Sequence, residues 1–240
     1  MATVPIPWVT PLPRPPWDLL KSMKAIPSFS PPTWSAVPAT TAFFYTADGR
    51  KLFNAYHTHT VAVIAGGNRK LAIDRRGWRD DGTFYMNGPT YTMQPAPSGE
   101  SAMQKVEGDF KVTASATASG DPVYLLDGEF SGTKAGKTRE WKAPVGGKAS
   151  VTIVLDSPRR VDCLFIYCCF DDSAAPSALT VRFSDGSVIT GVALSEDSAE
   201  ATILYFDPKF AESVTIEAEE LGSASCFGLA EVSIFSIDGP

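Results

Sequence analysis

Val161-Asp-Cys-Leu-Phe-Ile-Tyr-Cys-Cys-Phe170 is the most apolar run in this 240-residue chain, and its reading decides the fold. The run is rich in aromatic and β-favouring residues and has the length of a strand covered on both faces. Alternation sends Val161, Cys163, Phe165, Tyr167 and Cys169 one way, and Leu164, Ile166, Cys168 and Phe170 the other. A ten-residue run is too short to cross a membrane as a helix. The segments around it read as strands as well, which makes it a central strand of a β-sandwich.

Upstream, Val151, Ile153 and Leu155 share one face, and Ser157-Pro158 is expected to turn the chain into the central run. Downstream, Leu179, Val181 and Phe183 alternate with Thr180 and Arg182, and Ser184-Asp-Gly-Ser187 reads as a hairpin turn into Val188. Residues 201–206, then Val214, Ile216 and Ala218 against Thr215, Glu217 and Glu219, then residues 230–237 complete the series. About eight short strands separated by turns predict an antiparallel sandwich over residues 107–240.

Residues 39–106 read as a smaller β unit. Thr41–Thr46 and Lys51–Tyr56 form a hairpin with Asp48-Gly49 at the positions of a type I′ turn. Residues 60–65 and 70–73 are further strands. His57 and His59 share a strand face, the spacing of some metal pairs, but no third ligand accompanies them. Arg75, Arg76, Trp78 and Arg79 make a basic–aromatic patch, read as a solvated loop or a contact to another subunit ahead of a single-stranded nucleic-acid site. Residues 87–105 read as a linker.

Residues 1–38 carry ten of the 19 prolines and three of the five tryptophans, Trp8, Trp17 and Trp34. Proline removes backbone donors and fixes φ, so this arm cannot be a central strand or a long helix. Two readings stand: the indoles pack on the chain's own domain, or an extended arm docks on a neighbouring subunit through Trp8, Trp17 and Trp34.

Charge divides unevenly. Residues 1–107 hold 11 Lys/Arg against 7 Asp/Glu, a balance of +4; residues 108–240 hold 10 against 20, a balance of −10. An acidic C-terminal half repels phosphate, so no nucleic-acid partner is expected there. The cysteines at 163, 168, 169 and 226 read as buried free thiols, because adjacent Cys168 and Cys169 point to opposite faces. The N-terminus shows no basic n-region and no apolar h-region, so neither a signal peptide nor a membrane span is expected, and synthesis and assembly are placed in the cytoplasm.

In order and spacing, several pieces resemble the galactose-binding-like, or discoidin, jelly roll. They are Leu126-Asp-Gly128 followed by Trp141, the strand 149–155, Pro158-Arg-Arg-Val161 into Phe165-Ile-Tyr167, Leu179-Thr-Val-Arg-Phe-Ser-Asp-Gly186, and Phe227-Gly-Leu-Ala-Glu-Val-Ser-Ile234. The resemblance covers residues 108–238. It implies an all-β jelly-roll β-sandwich and a structural calcium framed by Asp127, Thr138 and Glu231, against the plainer reading of Asp127 as a turn cap and Glu231 as a surface residue. Thr138 stands three residues before Trp141 where the family pattern has two. Members of that family that bind sugars use aromatics on loops, for which Phe130, Trp141 and Tyr205 are the candidates here, with Trp141 expected in the core.

Gly132-Thr-Lys-Ala-Gly-Lys-Thr138 falls one residue short of a phosphate loop, and Pro144, Gly146 and Gly147 leave no helix behind it to present amides. No nucleophile elbow is present, and acidic pairs such as Asp171-Asp172 and Glu219-Glu220 are expected on solvated turns. An enzyme is not expected. The organisation of arm, small β unit and displayed jelly roll resembles virion proteins. The expected role is therefore a structural or assembly component of a phage or phage-like particle, a homo-oligomer in contact with other virion subunits and with a host surface glycan as a further partner. A carbohydrate-binding module is the alternative.

Overall fold

The structure is a computed structural model and describes residues 41–46, 49–59, 69–88, 90, 92, 103–130, 139–146, 148–170, 174–195 and 200–237. Trp8, Trp17, Trp34, the strand expected at 60–65, Thr138 and Asp171-Asp172 lie outside these residues. The protein is all-β, with a jelly-roll sandwich preceded by a small β unit. No helix among the described residues is long and apolar enough to cross a membrane.

The small unit is a four-stranded antiparallel sheet in the order β1 (Ala42–Tyr45), β2 (Leu52–His59), β3 (Arg69–Trp78) and β4 (Phe84–Met86). The β1–β2 turn differs from the type I′ expectation: Thr46 and Lys51 pair across a four-residue loop, with Gly49 at φ 73°. β3 runs five residues past the strand end expected at 73, so Arg75, Arg76 and Trp78 belong to a strand and not to a loop. Asp81 caps the following turn through the Thr83 amide at 2.8 Å, and Gly82 sits at φ 80°.

The large sheet contains β5 (Met103–Lys105), β6 (Lys111–Ala114), β7 (Trp141–Lys142), β8 (Ser150–Cys168), β9 (Ala178–Phe183), β10 (Val188–Ala193), β11 (Thr202–Glu220) and β12 (Gly228–Ile237). Its main path is β10-β9-β11-β8-β12-β5, with β6 on β8 and β7 on β12. β5 lies in the stretch read as a linker, yet it pairs with β12 through Phe235 and Lys105.

Two strands of 19 residues each, β8 and β11, close this sheet into two layers. Their first and last halves pair with different partners. Residues 151–154 of β8 lie against β6 and the second half of β11, whereas residues 163–168 lie against β12 and the first half of β11. The chain therefore does not turn at Ser157-Pro158 as expected; it bends and continues. Opposite it, β11 carries register shifts between Tyr205 and Lys209 and between Ala211 and Ser213, which places Pro208 in the first bulge. Proline is tolerated there because a bulged residue owes no ladder hydrogen bond. The two bent strands carry the chain around the corner of the sandwich.

The central run has the two-sided burial its alternation predicts. Leu164 and Ile166 enter the main core with Val151, Ile153, Val181, Ile216, Val232 and Ile234, and Cys163, Phe165 and Tyr167 form a second cluster with Phe235 and Ala230. Val161 departs from the alternation and joins the main core. It sits at the corner, where the shift opposite it resets the register. All four cysteines are free and buried.

Candidate functional site

Two places on the chain concentrate chemistry: a charged junction between the small sheet and the sandwich, and the outer face of the small sheet.

The junction grows from a short 3-10 helix at Pro122–Leu126, capped at its start by the Asp121 side chain on the Val123 amide and ended by Asp127. Gly128 follows at φ 72°, which turns residues 128–130 across the outer side of the β8–β12 layer. There Phe130 stacks on Tyr167 with centroids 4.1 Å apart. Asn87, the residue after β4, grips this segment twice. Its side-chain amide donates to the Gly128 carbonyl at 2.6 Å, and its carbonyl oxygen accepts the Phe130 amide at 3.2 Å. Arg79, just beyond β3, donates from Nε to both oxygens of Glu129, at 3.0 and 2.8 Å. Lys51, just before β2, reaches Glu107 at 2.9 Å.

Within the junction the two expected metal-framing carboxylates lie close enough to interact electrostatically, and every one of their oxygens is taken. Glu231 accepts from Lys105 Nζ and Ser233 Oγ on Oε1 and from the Gly128 amide on Oε2, each at 3.1 Å. Asp127 accepts from the Glu129 amide and from Arg139 Nε, both at 2.7 Å. A hard cation needs several oxygens turned toward it, and these oxygens face N–H, O–H and ammonium donors instead. Among the described residues no group of three or more His, Cys, Asp or Glu is placed to hold a metal. The described donor set does not fit calcium.

Burial pushes the Glu231 carboxyl up to about 7, against the pull of nearby Lys105, and pushes Asp127 up to about 6. Both values lie above those of the unfolded chain, 4.5 and 3.8. The folded protein then holds protons that the unfolded chain has already released. Stability from this source is full at the acid end and is lost as pH rises toward 7, by up to about 3 kcal/mol for Glu231. The melting temperature is expected to fall between about pH 5 and pH 7, and Glu231→Gln is expected to flatten that fall. A wild-type melt that rises across this window contradicts the assignment.

The second place is set by strand register. Residues directly opposite on neighbouring strands share a face. Tyr45, Leu52, Arg76 and Met86 form one row, Trp78 and Phe84 the next, and Phe43 and Asn54 a third. On this face Phe43, Tyr45, Trp78, Phe84 and Met86 are exposed, Trp78 by 67%. The Arg76 guanidinium lies 3.5 Å from the Phe43 ring centroid and 4.5 Å from that of Phe84, and Trp78 meets Phe84 edge-on at 5.0 Å. The same face is closed at its other end, where buried Asp74 accepts from the Tyr56 hydroxyl and from Thr90. Alternation thus splits the basic–aromatic patch read from the sequence. Arg76 and Trp78 go to the open face, Arg75 to the opposite face, and Arg79 into the junction. Sequence reasoning missed Phe43, Tyr45, Phe84 and Met86, which join the patch only through cross-strand pairing.

The aromatics named by the family resemblance scatter. Trp141 is fully buried against Phe227, and its indole donates to Thr117 Oγ1 at 2.9 Å. Phe130 is spent on Tyr167, while Tyr205 is 60% exposed on β11 with Phe210 further along the same strand.

The chain resembles several solved structures. One is the family 32 carbohydrate-binding module of C. perfringens NanJ in complex with galactose, at 17% identity over 53% of this chain and 93% of that one, with a TM-score of 0.43. Another is chitosan-binding module 1 of a chitosanase/glucanase from Paenibacillus sp. IK-5, at 16% identity over 53% and 95% of the two chains, TM-score 0.41. A third is the lectin binding domain of lectinolysin complexed with Lewis b, at 18% identity over 53% and 92%, TM-score 0.44. No curated protein matches the sequence. One family model covers residues 106–235, from the residue after β5 to near the end of β12, which is more than half of the 240 residues. The sandwich is its domain, and this chain belongs to the family described as Domain of unknown function (DUF7402).

Proposed function

We propose that this protein is a non-catalytic recognition module that binds a glycan on the open aromatic face of its small sheet. The observation that carries the reading is the exposure of Trp78 beside Phe84 and the Arg76 guanidinium. The face of a pyranose ring presents C–H groups that stack on an indole, and its rim of hydroxyls needs donors and acceptors nearby. Arg76 and the Tyr45 hydroxyl stand on the same face, and Asp80 and Asp81 on the adjoining turn. An exposed group of large rings flanked by polar side chains is the kind of surface that marks a binding site. A glycan array probed with the full chain is expected to show a restricted set of binders, absent for Trp78→Ala. Failure to bind any glycan, or equal binding by Trp78→Ala, removes the proposal.

A second reading has its own observation. Among the described residues β1 and β4 are free edges of the small sheet, beside an apolar face. Free edges and exposed rings also suit docking on another protein subunit, as an assembly component of a particle would require. Light scattering on the full chain separates the two. A stable oligomer that Trp78→Ala and Phe84→Ala convert to monomer favours assembly, and a monomer that binds sugar favours recognition.

A further inference from the structure

We infer that this chain secures its small sheet to its sandwich with cations of its own, at the place where the jelly-roll resemblance implies calcium. Three acidic side chains converge there from two segments, Asp127 and Glu129 from the turn after the 3-10 helix and Glu231 from β12. Two of them are deeply buried: the Glu231 side chain is 1% exposed and that of Glu129 10%. Buried carboxylates of like sign are costly unless paired, and a metal ion is one way of pairing them.

The chain supplies another. Lys105 extends from β5 to Glu231, Arg139 reaches Asp127 at 2.7 Å and Glu129 at 3.6 Å, and Arg79 comes from the small sheet to hold Glu129 with two nitrogens. Arg75 stands over the same turn: a Cβ added at Gly128 would lie 3.3 Å from its Nη1 and 4.0 Å from Lys105 Nζ. Four basic side chains thus crowd a turn that carries two acids, with a third acid beneath it. A divalent ion added here would meet their positive charge as well as donors already on every carboxylate oxygen of Asp127 and Glu231.

The consequence is mechanical as well as electrostatic. A resident metal would hold together only the strands that ligate it. Arg79 belongs to the small sheet, and Asn87 bonds the same turn. The ionic network therefore joins the two β units and fixes how the aromatic face is presented. The network is covalently part of the chain, so it cannot be removed by a chelator.

Thermal melts of the full chain test this without reference to any ligand. Wild-type protein in calcium and in EDTA is expected to melt at the same temperature, within about 1 °C. At pH 8, where Glu231 is ionised, Lys105→Met is expected to melt roughly 5 °C or more lower, because Glu231 loses its counter-charge. Adding Glu231→Gln to Lys105→Met is expected to restore at least half of that loss, which a merely structural lysine would not give. A calcium-dependent rise of several degrees in wild type overturns the inference. So does a double variant in which the two losses simply add. Should Lys105→Met fail to fold, the wild-type comparison and the same cycle with Arg139→Met and Asp127→Asn decide the matter.

Discussion

Replacing Trp141 by alanine is expected to lower the free energy of unfolding by about 4 kcal/mol. The indole is fully buried at the contact between β7 and β12, edge-on to Phe227 at 5.2 Å. Its N–H is satisfied by Thr117, so truncation removes a hydrogen bond, leaves the Thr117 hydroxyl without its donor and opens a cavity among Phe227, Leu229 and their neighbours. Urea unfolding followed by circular dichroism measures the loss. A loss below about 1 kcal/mol would show that the site relaxes around the missing ring and that Trp141 is not a core anchor. The result also bears on function. A core tryptophan should change stability and leave the affinity of the remaining folded protein as it was, the opposite of what is expected of Trp78.

Gly88→Ala is expected to cost about 3 kcal/mol, concentrated in the small sheet. Gly88 follows β4 at φ 93°, a backbone conformation that penalises any side chain. A Cβ there would lie 2.1 Å from Asp74 Oδ2 and 2.7 Å from the Tyr56 hydroxyl, so the buried Asp74–Tyr56–Thr90 cluster would have to open. That cluster holds the segment after β4 over the sheet, and the preceding residue, Asn87, is the one that bonds Gly128 and Phe130. Hydrogen exchange on the full-length variant is the suitable measurement. Faster exchange in β2 to β4 with the sandwich protected is the expected outcome, and unchanged exchange in those strands would show that the cluster can shift without loss.

Much of the sandwich was legible because its signals are local. The double-sided apolar run, the alternation of Leu179, Val181 and Phe183, and the turn at Ser184–Ser187 each depend on neighbours in sequence. That turn proves to be a three-residue loop closed by Phe183 and Ser187 with Gly186 at φ 85°. The corner was misread for a physical reason. Proline at 158 looks like a strand end, and nothing local shows that a bent strand can carry it in a bulge of its own, where residues 155–158 stand against Glu212 alone. The junction was half visible. The family resemblance points to Asp127 and Glu231, but the partners that answer them are distant in sequence; Lys105 and Glu231 are 126 residues apart. The aromatic face was legible as a basic–aromatic stretch on one strand, while its other rings come from β1 and β4, and pairing register carries them there.

The glycan-binding proposal assigns recognition to the small sheet, with the sandwich as its mount. Calorimetric titration of the full chain with a glycan found on the array tests it most directly, comparing Trp78→Ala with a Tyr205→Ala/Phe210→Ala pair on the sandwich. Trp78→Ala is expected to weaken binding about tenfold or more, roughly 1.4 kcal/mol, while the sandwich pair stays within about twofold of wild type. Loss of binding in the sandwich pair with Trp78→Ala unaffected would contradict it.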